Sequence, residues 1–180
     1  MRIASRIVVL ALVLVTGAIG GPSVASASDA GLRTLVHDQL SDQRGYEREL
    51  ERAVDGVGKA KTLEESKADV ERWLRSTIEI AGRYGKNVDA YHRRAAAESG
   101  SSAGGTEVRA LFLQGLAHES RYLATLRTAF RKGVKDIRRV RTVAQLSTFQ
   151  RELGAGYGGK DGTRAKSELG RARKLIRATG

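Results

Sequence analysis

The sequence predicts an all-α protein: an elongated antiparallel bundle of three long helices plus two shorter C-terminal helices, behind an N-terminal signal peptide. Three observations carry this expectation. The 180-residue chain has one proline and only 5% aromatic residues, a composition that favours helix over sheet. Apolar residues recur at intervals of three and four, and no stretch alternates apolar and polar residues as a half-buried strand would. Two threonine-led capping patterns, "TLEE" at 62–65 and Thr142 with Gln145, mark helix starts.

Residues 1–27 have the pattern of an export signal. Arg2 and Arg6 form a positive region, "IVVLALVLV" at 7–15 is the apolar run, and Ala25-Ser26-Ala27 is a small-residue cleavage site. The two arginines are not adjacent, which argues against a twin-arginine signal. The expected mature domain is 28–180, secreted or extracytoplasmic, and membrane-anchored if the signal is retained. The chain has no cysteine. Disulfides, thiolate zinc sites and lipid attachment at cysteine are therefore excluded, and packing alone must hold the domain together.

The first helix is expected from about residue 30 to 57, with Leu32, Val36, Leu40, Tyr46, Leu50, Val54 and Val57 on its apolar side. Arg44, Arg48 and Arg52 form one row beside Glu47, Glu51 and Asp55, which reads as a solvated face of ion pairs. The second helix, about 63–98, carries a coiled-coil-like seam of Val70, Leu74, Thr77, Ala81, Tyr84, Val88, Tyr91 and Ala95. Glu71–Arg75, Glu79–Arg83 and Asp89–Arg93 are paired on its outer face, acid first. Gly82 and Gly85 interrupt this helix and imply either a close neighbour or a bend. A small-residue connection spans 97–106.

The third helix is expected over about 106–140, with Val108, Phe112, Leu116, Leu123, Leu126, Phe130, Val134 and Ile137 as its stripe. A fourth starts at Val143 and buries Leu146, Phe149 and Leu153. A glycine-rich loop at 154–162 precedes a last helix over about 163–178, which uses Ala165, Leu169, Ala172 and Ile176.

The formal charge is +12, and its distribution is uneven. Residues 28–98 hold 13 Lys and Arg against 14 Asp and Glu, whereas residues 99–180 hold 17 against 6. The second half is therefore cationic, which bears on partners and solubility rather than on fold. Its densest stretch is "FRKGVKDIRRVR" at 130–141. On a helix, Arg127, Arg131, Lys135 and Arg138 share one face, and Lys132 and Arg139 widen it. Arg171 and Lys174 add charge on the last helix. Some of this charge is explained by the helix macrodipole, which stabilises cations near a C-terminus by about 0.3–1 kcal/mol.

No catalytic motif survives inspection. "GAGYGGKD" at 154–161 approaches a phosphate-binding loop, but Asp161 stands where a Ser or Thr would hold magnesium, and a helix precedes it where a strand is required. Asp89 and His92 share a helical face, yet the paired Glu-x-x-His units of a di-iron bundle are missing. The serines at 99, 101 and 102 have no nucleophile-elbow context. Trp73 beside the second-helix seam reads as core.

The resulting expectation is a non-enzymatic protein without cofactor or metal. Its cationic half would associate with an anionic envelope polymer or membrane surface through Arg127, Arg131, Lys132, Lys135, Arg138, Arg139, Arg171 and Lys174. Nucleic acid is disfavoured by export and by the scarcity of aromatics near the basic helices. The alternative is a protein-interaction bundle using the second-helix seam or Trp73.

Overall fold

The computed structural model describes residues 29–55, 57, 60, 62–100, 102–155 and 159–178. The expected signal peptide at 1–27 lies outside them. Five helices follow in order: α1 (Ala30–Val54), α2 (Leu63–Ala97), α3 (Ala103–Asp136), α4 (Val143–Ala155) and α5 (Lys160–Ala178), with a 3-10 turn at Ile137–Arg139. No strand occurs among the described residues. No helix among them is long and apolar enough to cross a membrane. With 35 and 34 residues, α2 and α3 are each about 50 Å long.

The start of α2 is fixed as its sequence predicts. The Glu65 amide donates to Thr62 Oγ1 at 3.1 Å, and the Thr62 amide donates to Glu65 Oε2 at 3.1 Å. Every residue of the predicted α2 seam is buried. The seam faces α1 on one side and α3 on the other. Tyr91 and Asn87 reach Asp42 of α1, while Arg83 reaches Glu49, so the two helices run antiparallel. Ser120 of α3 meets Asp89, and Arg138 meets Glu71, so α3 also runs antiparallel to α2. Two expected pairings within α2 give way to these contacts: Arg83 pairs across to α1, and Asp89 accepts from Ser120. A partner on another helix competes with the neighbour one turn away.

Three long helices form the body as expected, but the two shorter ones join it unequally. α5 packs along α3 and closes back onto α1, so α1, α2, α3 and α5 surround one core, while α4 touches this core only lightly. The α3–α5 contact is close because Gly115 has no side chain: a Cβ there would stand 2.7 Å from Leu169 Cγ. The neighbour expected at Gly82 is the Arg127 guanidinium, 3.5 Å from where a Cβ would lie, whereas nothing approaches Gly85 within 4 Å. Trp73 packs against Phe130 with ring centroids 5.3 Å apart.

α3 begins at Ala103, earlier than the small residues of 97–106 suggested. Ser102 caps it, accepting the Gly105 amide at 2.8 Å. The Asp29 carboxylate accepts the Ser102 hydroxyl and lies against Gly105. The Glu98 carboxylate sits on the start of α1, where a Cβ on Gly31 would stand 2.7 Å from its Oε2. Each carboxylate thus faces the positive end of a helix dipole. Arg109 donates to the Ala95 and Ala96 carbonyls at 3.1 and 2.7 Å and covers the negative end of α2. One end of the bundle is therefore fastened by groups from three helices.

Candidate functional site

Charged and polar groups lie inside the bundle at a level where its seams should be apolar. Gln39 and Gln43 of α1, Tyr84 of α2, Glu119 of α3 and Arg173 of α5 are all buried. Gln39 is the hub. Its Nε2 donates to Tyr84 Oη at 3.0 Å and to Glu119 Oε2 at 3.1 Å, and its Oε1 accepts Arg173 Nη2 at 2.7 Å. Tyr84 Oη donates to Glu119 Oε1 at 3.0 Å. Arg173 Nη2 also donates to Gln43, whose Nε2 donates to Glu47 Oε1 at 2.9 Å. Tyr46 stacks on Tyr84, with centroids 4.5 Å apart.

Burial dominates the electrostatics here. It pushes the Glu119 carboxyl up to about 7, against the opposing pull of the Tyr84 hydrogen bond and the Arg173 charge. It pushes the Tyr84 and Tyr46 hydroxyls well above the usual phenol range, with Glu119 adding to both. It lowers Arg173, whose charge Glu119, Tyr84 and Glu47 help to hold. The arrangement can hold or release one proton near neutrality within a closed set of hydrogen bonds. Apolar periodicity marks Tyr46 and Tyr84 but not Gln39, Gln43, Glu119 or Arg173. The available signal was a polar residue at a seam position. Leu32, Val36, Gln39, Gln43 and Tyr46 step by four and three, and so do Leu116, Glu119, Leu123 and Leu126.

A second cluster joins α3 to α5. His118 Nδ1 lies 2.8 Å from Asp161 Oδ1 and 2.7 Å from Arg121 Nη2, and His118 Nε2 lies 3.7 Å from Glu168 Oε1. Nδ1 donates to Asp161 or accepts from Arg121, according to the tautomer. The His118 hydrogen bond and the nearby Arg121 and Arg164 hold Asp161 below the usual carboxylate range. Asp161 lies in the first turn of α5, directly after α4, so the phosphate-loop-like stretch joins two helices; residues 156–158 lie outside the described ones. Among the described residues, no group of three or more His, Asp or Glu side chains could hold a metal ion.

The predicted anion-binding residues do not form one patch. Arg131, Lys132 and Lys135 are exposed near the C-terminal end of α3 and form no ion pair with described residues. Arg138 donates to Glu71 at 3.0 Å, and Arg139 lies 3.6 Å from Asp136. Arg127 lies over Gly82, half-buried. Arg171 and Lys174 are exposed on α5, with Arg171 3.7 Å from Glu107 near the start of α3. Between Glu107 and Arg131 α3 rises about 36 Å, so the two groups serve different ends of the bundle. No protein-family model, curated protein or solved structure matches the chain.

Proposed function

We propose that the protein is an exported, non-enzymatic helical bundle that associates electrostatically with an anionic envelope surface, either lipid headgroups or a wall polymer. One observation carries this reading. Arg131, Lys132 and Lys135 stand exposed at one end of the bundle without a carboxylate partner among the described residues. A partner surface would then meet these three cations, while Arg138 and Arg139, paired with Glu71 and Asp136, would add little net charge. Arg171 and Lys174 provide a weaker second contact. The protein-interaction alternative has less support, because the α2 seam is buried by its own neighbours and Trp73 packs on Phe130.

The test is retention on phosphatidylglycerol-containing vesicles and, in a parallel arm, on isolated wall polymer, each across a salt gradient. A basic side chain near an anionic surface contributes about 1 kcal/mol. Reversing Arg131, Lys132 and Lys135 to Glu should therefore cost roughly two orders of magnitude in affinity at low salt. Binding that neither salt nor the reversal changes would overturn the proposal.

A further inference from the structure

The seam between α1 and α5 is looser than that between α3 and α5, and a half-open groove of about 370 Å³ remains along it. This volume lies within the range of small-molecule sites. Leu40 of α1 and Ile176 of α5, both half-buried, provide apolar walls. The charged lining is predominantly positive. Arg33, Arg173 and Arg177 line the groove against a single carboxylate, Asp38. The three arginines form a gradient of exposure, with Arg177 at the open rim, Arg33 half-buried and Arg173 buried at the inner side. Arg173 uses Nη2 for Gln39 and Gln43, while its buried Nε has no hydrogen-bond partner among the described residues. A buried guanidinium N–H of this kind is a donor that a ligand oxygen in the groove could use.

We propose that the α1–α5 groove binds a small organic oxyanion, a carboxylate or phosphate monoester carrying an apolar chain. The chain would lie between Leu40 and Ile176, and the head group would meet the guanidinium groups, whose planar forks suit carboxylate and phosphate oxygens. Aqueous anions without a chain would gain only the rim charge, and neutral amphiphiles would gain only the apolar contacts. The site is distinct from the cationic end of α3, so it stands or falls independently of envelope association.

Titration calorimetry of the full chain, below the micellar range, tests this with octanoate, octyl phosphate, octanol and inorganic phosphate. At least one of the two anionic amphiphiles should bind one-to-one, about tenfold or more tighter than octanol or inorganic phosphate. Whichever of octanoate and octyl phosphate binds tighter identifies the head group. Ile176→Trp, which fills the groove, and Arg177→Glu, on the exposed rim, should each weaken that binding about tenfold or more. Reversal of Arg131, Lys132 and Lys135 should leave it unchanged. The proposal is overturned if neither amphiphile binds, if octanol binds equally well, or if Arg177→Glu leaves the affinity intact.

Discussion

The Tyr84 hydroxyl donates to Glu119 Oε1 at 3.0 Å in the middle of the bundle, so a phenol from α2 and a carboxyl from α3 share a buried hydrogen bond. Because burial raises Glu119 from 4.5 to about 7, the fold favours its protonated form. The stability this group contributes is therefore fully present below about pH 4.5 and is lost as pH rises through 7. The loss is on the order of 3 kcal/mol. Thermal melts should show a lower Tm at pH 8 than at pH 5.5. Glu119→Gln, which stays neutral, should remove most of that difference; an equal drop in both proteins would refute the assignment. Tyr84→Phe removes a bond that lowers Glu119, so the fall in stability should move to higher pH.

Glu71 and Asp161 act in the opposite direction. Hydrogen bonds from Arg138 and Arg75 lower Glu71, and His118 lowers Asp161. Their contributions are present above the unfolded carboxylate range and fade as pH falls below it. Maximum stability is therefore expected on the acidic side of neutrality, between these two regimes. A denaturant series from pH 3 to pH 8 would locate it.

Two glycines on long helices should respond oppositely to alanine. At Gly115 the new methyl would press on Leu169 Cγ at 2.7 Å and on the Leu169 amide nitrogen at 3.1 Å. Overpacking against backbone should cost about 1–3 kcal/mol. At Gly85 nothing lies within 4 Å, so the better helix propensity of alanine should stabilise the protein by about 0.5–1 kcal/mol. Urea titrations of both variants decide the matter, and destabilisation at Gly85 would contradict the packing described.

Arg173→Met should be among the most damaging single changes. It leaves Gln39 and Gln43 carbonyls unpaired and takes the compensating charge from Glu119. Breaking such a buried arrangement from one side costs about 3–5 kcal/mol. A loss below 1 kcal/mol in chemical unfolding would show that water replaces the guanidinium without penalty.

α4 should open independently of the bundle. Leu146 is buried and Phe149 and Leu153 are half-buried, but most of its other described side chains face outward, and Val143 is 42% exposed. Its cap is also displaced: Thr142 Oγ1 accepts the Gln145 amide at 3.2 Å, but Gln145 Oε1 takes the Arg141 amide instead of that of Thr142. Hydrogen exchange should release the α4 amides well before those of α2. Thr62→Ala should lower global stability by about 1 kcal/mol, and Thr142→Ala should barely change it.

The α2 seam, its capping box and the start of α4 were legible because they rest on local spacing and cap chemistry. The closure of the bundle by α5 was not. It depends on Gly115 meeting Leu169, and a glycine in a sequence gives no sign of what occupies the space it leaves. The cationic residues were readable as charge, yet their division between two ends follows from the length of α3, and the partners of Arg138 and Arg139 from which acids lie nearby. The buried network escaped because a search for apolar periodicity passes over Gln39, Gln43 and Glu119, even where they keep the seam's own spacing.

That spacing has a consequence for register. Apolar seams with a seven-residue repeat tolerate sliding, since one leucine layer resembles the next. Displacing α1 by one such repeat would bring Gln39 opposite a greasy layer and strand Glu119 and Arg173 at once. The polar centre acts as a key cut for one alignment of four helices. Replacing Gln39, Gln43, Glu119 and Arg173 together with apolar residues of similar volume should therefore keep the protein helical and stable. It should also let alternative alignments coexist, visible as doubled amide resonances.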